Sequence, residues 1–373
     1  MHRLSLPQAH QRLRNISGPH LTKARHHLKS LLRDHFARGH ANDVVVQDGY
    51  SAPYLYLLKE DEQKCTVSRK GPSEYTLKKL RQVERAMDAG AGQGRGDLYK
   101  PWIRIRRGFS RPVSHQVFEQ VSVNLRNHHF LSKLEHHTAL VTAYMGSVEL
   151  RECLPMWPYE HPHPCADLNM PLHVAVPKAP GLIDMARELG IDHGVFVGTK
   201  VPYIASIDLM HAIPREKGSL YLGISCKPKE IIDKSARARE RLRLDEHYCV
   251  FNGIHHVVED GTGLNAQLVG NLTWLRPLTS EVREHRGAAY LQDYAGWLDE
   301  AADHLPLHLA SLEAGRKCRV DQSISDLYFR LSVWLHLVDI DLSKPVQMRR
   351  PLRRGGEKVL AALRAHYLGG EHV

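Results

Sequence analysis

Two neighbouring strand patterns, each carrying one charged residue, limit most strongly what this chain can fold into. Residues 218–227 alternate apolar and polar side chains, which places Ser225 and Lys227 on one face of a strand. A proline ends that strand directly after Lys227, at its carboxyl end, where α/β sheets tend to carry their sites. The preceding apolar segment, 201–210, is interrupted by Asp208. Because a bare carboxylate is costly to bury, Asp208 must be paired, bound to a metal ion or placed at the exposed end of its strand.

Helix and strand patterns alternate between residues 131 and 252. This alternation is typical of an α/β domain in which helices flank a central mixed sheet. The patterns predict helices at 131–144, 181–189 and 229–247, and strands near 146–152, 194–198, 201–211, 218–227 and 248–252. A further helix is predicted at 73–88, beginning at Ser73 and ending before a glycine-rich loop.

Helical patterns dominate after Gly270. Helices are predicted at 278–303, 305–313 and 321–337, followed by a β-wing at 338–350, and this order is compatible with a winged-helix module. The 373 residues exceed what one hydrophobic core usually spans. We therefore expect a basic N-terminal extension at 1–72, an α/β domain at 73–255 and a winged-helix-like domain at 272–373.

Charge and composition narrow the class of partner and the compartment. Lysine and arginine number 51 against 41 acidic residues, a formal net charge of +10, which favours a polyanion such as nucleic acid. No apolar run approaches the roughly 20 residues of a bilayer-spanning helix, so an integral membrane protein is excluded. The N-terminus lacks the apolar segment of a secretory signal, and the six cysteines form no C-x-x-C pair. We expect reduced thiols and a cytoplasmic location.

An acid on one strand and a polar-x-Lys sequence on the next is the layout of metal-dependent nucleases of the PD-(D/E)xK type. In such sites carboxylates hold Mg²⁺, the ion activates water, and a lysine orients the nucleophile or stabilises developing charge. Glu135 would supply the second carboxylate. Ser132 and Glu135 also match the S-x-x-E capping box, so a purely structural role at a helix start remains open for Glu135.

A glycine-rich loop at 90–96 precedes a run of cations, 98–112, that contains no acid. Glycines let the backbone approach closely and unopposed cations suit a phosphate backbone, although a flexible turn beside a solvated charge run fits equally well. The candidate DNA contacts are Lys100, Arg104, Arg106, Arg107 and Arg111, with His128 and His129 farther along the chain. A basic amphipathic helix at 20–38 could also lie on DNA or on a partner.

A second group of metal-ligand residue types occurs at Cys153, His161, His163 and Cys165. Their spacing suits no common zinc finger. A polar surface loop is therefore the favoured interpretation of this segment.

Several separate segments match one family in order and approximate spacing. They are Gly-Gln-Gly at 92–94, Tyr-Lys-Pro-Trp at 99–102, Ser-His at 114–115, and the stretches 128–135, 148–155, 206–208 and 224–228. In these segments the chain resembles the TnsA transposon-end endonucleases. The resemblance extends over about 75–255 and loosely over the C-terminal part, whereas 1–72 look like an extension.

The resemblance implies a restriction-endonuclease-like domain followed by a domain that contains a winged helix. It also implies one subunit of a bacterial heteromeric transposase that acts on DNA at the nucleoid. TnsA-like subunits cut the 5′ ends of the element, and an integrase-type partner, TnsB, cuts and joins the 3′ ends. An AAA+ regulator, TnsC, binds the TnsA C-terminal region.

Carried over residue by residue, the resemblance makes Glu135 and Asp208 metal-binding carboxylates and Lys227 the catalytic lysine. Mg²⁺ is the implied cofactor, with Mn²⁺ as a substitute, and the Cys226 main-chain carbonyl is a further candidate ligand. Where the family has Gln-x-Lys this chain has Ser-Cys-Lys, so Ser225 would have to reach the metal directly or through water. Asp245 and Glu246 lie near another acid of the family.

Two other functions are open. A free-standing PD-(D/E)xK repair or restriction nuclease would share the chemistry but cut without a partner. A non-catalytic DNA-binding scaffold protein would use the same basic residues, with Glu135 as a helix cap.

Overall fold

The structure, a computed structural model, describes residues 73–105, 115–166, 178–215 and 218–369. The first helix, α1 (Glu74–Asp88), begins where the sequence predicts, because the Ser73 hydroxyl accepts a hydrogen bond from the Thr76 amide at 3.2 Å. The predicted helix at 20–38 and the rest of the 1–72 extension lie outside the described residues.

A four-stranded mixed sheet forms the centre of the molecule. Its strands lie in the order β3 (Glu149–Met156), β4 (Ala205–Arg215), β5 (Gly218–Cys226) and β6 (His255–Glu259). The first three run antiparallel to one another, and β6 is parallel to β5. A separate antiparallel pair consists of β1 (Val117–Glu119) and β2 (His128–Phe130). The predicted mixed sheet is confirmed.

Helices cover both faces of this sheet. On one face α2 (Lys133–Tyr144) packs with the apolar residues of β5 in a first hydrophobic cluster. On the other face α3 (Leu182–Glu188) and α5 (Ala236–Phe251) pack with residues of β3 and β4 in a second cluster. A short helix, α4 (Lys229–Lys234), leads from β5 into α5. The α/β architecture therefore agrees with the predicted fold class.

The strands β3 and β4 exchange faces near the middle of their pairing. Residues two apart on a regular strand share a face, yet Ile207 belongs to the second cluster and Leu209 to the first. In β3, Leu150 belongs to the first cluster and Leu154 to the second. Between them Cys153 has a left-handed backbone with φ of 48°, which is uncommon for a residue other than glycine. Asp208 therefore lies where the regular alternation of β4 breaks.

Several predicted elements in the α/β part differ from the structure. The segment 194–198 forms no strand and makes a single bridge, Val195 with Pro202. The predicted helix 229–247 is divided at Ser235, whose side chain caps α5 by accepting from the Ala238 amide at 3.1 Å. The residues predicted as a strand at 248–252 belong to the end of α5 and its cap, and the edge strand begins later, at His255.

The described residues of the C-terminal part form helices joined by turns. Its helices are α6 (Ala266–Leu275), α7 (Thr279–His285), α8 (Ala289–Ala302), α9 (Leu307–Cys318), α10 (Gln322–Trp334) and α11 (Gly356–Leu368). The predicted helix 278–303 is divided near Gly287, which has φ of 78°. The predicted β-wing at 338–350 is wrong, because these residues form turns between α10 and α11. A winged helix is therefore not confirmed.

The C-terminal helices share the first hydrophobic cluster with α2. Leu272 of α6, Leu298 of α8 and Leu331 of α10 lie in the same cluster as Leu140 of α2. The division into domains at 73–255 and 272–373 stays a prediction. Among the described helices, none combines the length and the apolar character needed to cross a bilayer.

Candidate functional site

Glu135, Asp208 and Lys227 belong to three different elements of the fold and influence one another electrostatically. Glu135 lies in the first turn of α2, Asp208 lies within β4, and Lys227 follows the last residue of β5. Glu135 is 6% exposed, and the other two side chains are half-buried. The charges of Asp208 and Lys227 both act on the Glu135 carboxyl, which places the three groups in one electrostatic neighbourhood.

The two carboxyl groups lie in an environment that disfavours two negative charges. Burial, and then the nearby Asp208 carboxylate, raise the pKa of Glu135 to about 8, although local hydrogen bonds and Lys227 oppose this shift. Burial also raises the pKa of Asp208, opposed by the Cys226 amide and by the positive charges of Lys227 and Arg241. A bound cation would remove the cost of ionising both carboxyl groups.

The Glu135 carboxylate also closes the start of its own helix. Its two oxygens accept from the Leu131 amide at 2.8 Å and from the Ser132 hydroxyl at 3.0 Å. The Ser132 hydroxyl in turn accepts from the Glu135 amide at 3.1 Å. The Glu135 side chain is therefore held by the reciprocal bonds of a helix start, as the alternative interpretation of the sequence predicts.

Asp208 is held at the break in β4 by its neighbour strand. The Cys226 amide donates to Asp208 Oδ2 at 2.8 Å, and Cys226 immediately precedes Lys227. Asp208 is therefore bonded to the last residue of β5, and Lys227 is the next residue in the chain. This link gives a polar side chain inside an apolar strand a defined orientation.

Ser225, one of the predicted metal ligands, faces a different group of side chains. Its hydroxyl donates to Asp245 Oδ2 at 3.0 Å and lies 3.0 Å from His256 Nε2. Asp245 also forms an ion pair with Arg241 at 2.8 Å. The structure thus joins Ser225 to α5 and β6, and its role as a ligand stays a prediction. The Cys226 thiol is buried on the α2 side, beside Thr138.

Asp245 is one of two acids that the family resemblance indicated near the site. It is buried, and burial, opposed by Arg241 and reinforced by Asp208, raises its pKa to about 6. Glu246, the other acid considered, is exposed. Arg241 and His256 belong to the same network and were not predicted, because only the folded sheet brings α5 and β6 beside Ser225.

The predicted DNA contacts fall into three groups. Lys100 is exposed, with its ammonium donating to the Ala89 carbonyl at 3.1 Å, and Arg104 is half-buried. His129 is half-buried, and its Nδ1 accepts from the Ile105 amide at 3.1 Å. His128 is 0% exposed and hydrogen-bonded to Asn124, so burial removes it from the candidate DNA contacts. Three further predicted contacts lie outside the described residues, namely Arg106, Arg107 and Arg111.

The histidines near Cys165 are occupied by local contacts. His161 Nδ1 bonds to the Tyr159 carbonyl at 2.9 Å, and its Nε2 bonds to the Tyr248 hydroxyl at 2.8 Å. His163 bonds to the Asn252 carbonyl and to the Cys165 amide. Across the described ranges, no three His, Cys, Asp or Glu side chains are arranged to hold a metal ion.

The pair Glu135 and Asp208 nevertheless fits the ligand chemistry of Mg²⁺. This ion commonly keeps several waters and is held by only one or two carboxylates together with substrate phosphates. The buried Glu135 carboxyl and the half-buried Asp208 carboxyl, both with raised pKa values, would supply such a pair of oxygen donors.

Comparison with known proteins gives one distant similarity. No family model matches the chain. The chain is 25% identical over 228 residues to the transposon Tn7 transposition protein TnsA of Escherichia coli. The alignment covers 60% of this chain and 72% of that protein.

Proposed function

We propose that this chain is a metal-dependent DNA endonuclease, the subunit of a heteromeric transposase that cleaves the 5′ ends of a transposon. The observation that supports the proposal is that the charges of Asp208 and Lys227 both act on the Glu135 carboxyl, although the three residues come from different elements. The similarity to a transposition protein, TnsA, supports transposition over other nuclease functions.

In this proposal Glu135 and Asp208 hold Mg²⁺, or Mn²⁺ in its place. When bound, the ion polarises the scissile phosphate and lowers the pKa of an attacking water. Glu135 is kept in place by the helix start, and Asp208 by the Cys226 amide. The Lys227 ammonium orients the water or stabilises the charge that develops on the phosphate. Asp245, held by Arg241, orients Ser225 behind this centre.

The DNA backbone would be held beside the site by Lys100, Arg104 and His129, together with the cations of the segment 106–111. Such contacts position the duplex without reading its sequence. Recognition of the transposon end would then depend on an integrase-type partner that resembles TnsB. An AAA+ regulator that resembles TnsC would complete the assembly, which would act in the bacterial cytoplasm on nucleoid DNA.

The test is strand cleavage of transposon-end DNA by the full-length chain together with its integrase-type partner. We expect Asp208→Ala to abolish 5′-strand nicking in Mg²⁺ and to leave DNA binding within about twofold. The matched control is Asp233→Ala, which removes an exposed acid of α4 that forms only a 3.6 Å ion pair with Lys229. Undiminished nicking by Asp208→Ala would refute the assignment.

The same assay separates the other functions. Nicking that requires no partner would indicate a free-standing nuclease. The absence of any metal-dependent nicking by the wild-type chain would favour the scaffold protein. The hydrogen bonds of Glu135 at its helix start support that function, because they give Glu135 a structural role. Adjacent genes for an integrase-like transposase and an AAA+ protein would favour the transposase subunit.

A further inference from the structure

A buried hydrogen bond joins the last turn of α11 to the edge strand beside the candidate site. The Tyr367 hydroxyl donates to Glu259 Oε2 at 2.5 Å, and both residues are 1% exposed. The other carboxylate oxygen, Oε1, accepts from the Gly261 amide at 2.7 Å, and His366 lies 3.8 Å from the carboxylate. A buried carboxylate with these partners has a well-defined position.

Glu259 is the residue of β6 that pairs with the end of β5. Its main-chain carbonyl accepts from the Lys227 amide at 2.9 Å, and it lies opposite Cys226 in the parallel register. Glu259 therefore links two parts of the molecule. Its main chain bonds to the backbone of Lys227, the proposed catalytic lysine, and its side chain bonds to Tyr367 of α11.

The same tyrosine also touches the helix that carries Glu135. Thr138, one turn farther along α2, interacts with the Tyr367 hydroxyl and with the Cys226 thiol. Its hydroxyl donates to the Leu134 carbonyl at 2.8 Å, within the turn that contains Glu135. The Tyr367 hydroxyl thus bonds to β6, the strand paired with the end of β5, and interacts with Thr138 of α2, the helix that carries Glu135.

We propose that Tyr367 and Glu259 are positioning residues: their bond makes the alignment of Glu135 and Lys227 depend on the docking of α11. This inference rests on the proposed function, since it concerns the same three side chains. A displacement of about 1 Å in a catalytic group can reduce a rate about a hundredfold. We therefore expect the cleavage rate to fall if loss of the Tyr367 hydroxyl shifts either catalytic group by that distance. A regulator that moves α11 would thereby change cleavage without touching the site.

The test compares Tyr367→Phe with Tyr294→Phe in the full-length chain. Both changes remove one buried hydroxyl from a C-terminal helix, but Tyr294 bonds to Ser311 and Ser325, and neither of these is among the residues of the proposed site. We expect Tyr367→Phe to lower the single-turnover nicking rate about ten- to a hundredfold. Its Kd for end DNA should stay within about twofold, whereas Tyr294→Phe should change neither quantity.

Hydrogen exchange supplies a readout that needs no activity. In Tyr367→Phe the Lys227 amide should exchange about tenfold faster than in the wild type, because its acceptor strand is less firmly held. Tyr294→Phe should leave it unchanged. Unchanged nicking and unchanged exchange in Tyr367→Phe would overturn the inference, whereas an inactive wild type would overturn only the proposed function. Should Tyr367→Phe fail to fold, Glu259→Gln tests the same bond, and wild-type rate and exchange there would likewise overturn the inference.

Discussion

At the scale of single residues, Glu135 combines two roles that substitutions can separate. A glutamine at position 135 keeps an oxygen that accepts from the helix start but loses the negative charge. We expect Glu135→Gln to retain the wild-type unfolding free energy, or to exceed it, and to lose Mg²⁺-dependent nicking. Ser132→Ala should do the reverse: it removes the hydroxyl that bonds to Glu135, costs about 1 kcal/mol of unfolding free energy, and retains metal-dependent cleavage. Equal loss of cleavage in both variants would mean that Glu135 acts only as a cap.

The raised pKa of Glu135 also predicts how stability depends on pH. Its folded-state pKa of about 8 lies above the ordinary value of 4.5, so the folded protein binds this proton more tightly than the unfolded chain does. The stability contributed by the protonated group is complete below about pH 4.5 and is lost as the pH rises through about 8. Without divalent metal, the unfolding free energy of the wild type should therefore fall from about pH 5 to 8 relative to that of Glu135→Gln.

Denaturant titrations at several pH values, each with and without Mg²⁺, measure this dependence. Because the ion favours the ionised carboxylates, stabilisation of the wild type by Mg²⁺ should grow as the pH rises. The Glu135→Gln variant should show a smaller effect of Mg²⁺. Parallel curves for the two proteins would contradict the raised pKa of Glu135.

At the scale of elements, the helix starts that were predicted from capping residues were accurate. The start of α1 at Ser73 and the Ser132 start of α2 follow from hydroxyls that bond to amides three residues later. The exchange of faces in β3 and β4 has no such local signal, because it falls between two register pairs, Glu152 with Leu209 and Leu154 with Ile207, and exists only once the strands are paired. Strand patterns are interpreted on the assumption of unbroken alternation. They therefore assign Asp208 to a strand but do not predict the break in alternation at that residue.

The division of long helical patterns was missed for a related reason. Ser235 can continue a helix or cap the next one, and its neighbours in sequence do not decide between the two. In the structure it caps α5, the helix whose Asp245 accepts from Ser225 and pairs with Arg241. The polar network around Ser225 could therefore not be predicted from the sequence, although Asp245 was considered as a candidate acid.

The docking of α11 can be tested with two glycine substitutions. A Cβ on Gly356, the first residue of α11, would lie 2.5 Å from the Ile340 carbonyl oxygen. We expect Gly356→Ala to lower the unfolding free energy by about 1–3 kcal/mol and to reduce nicking as Tyr367→Phe does. Gly296→Ala is the control, since its Cβ, at an exposed position of α8, would meet no atom within 4 Å and should stabilise the protein by about 0.5–1 kcal/mol. Full stability in Gly356→Ala would show that this helix end tolerates displacement.

At the scale of the whole molecule, the composition and the order of elements predicted the fold class. The packing of the C-terminal helices against α2 could be seen only in the structure. The net charge and the alternation of elements predicted a basic α/β protein. Glu135, Asp208 and Lys227 are far apart in sequence, so their proximity was proposed from the layout of an acid and a polar-x-Lys sequence on successive strands and from the family resemblance. The participation of α11 had no sequence signal, because Tyr367 reads as one more apolar position of an amphipathic helix.

The shared hydrophobic cluster makes a prediction about the domain boundary itself. Leu140 of α2 is fully buried in a cluster to which α6, α8 and α10 contribute leucines, so removal of the C-terminal helices would expose that face of α2 to water. We expect the fragment 73–255 to lack a cooperative thermal transition and the full-length chain to unfold the C-terminal helices and the sheet in one step. Calorimetry and far-ultraviolet circular dichroism measure both. A fragment that melts cooperatively, or a full-length chain with separate transitions for the sheet and the C-terminal helices, would instead support two independent domains. In that case the Tyr367–Glu259 bond would connect two bodies that are stable apart, and docking of α11 would be reversible without unfolding.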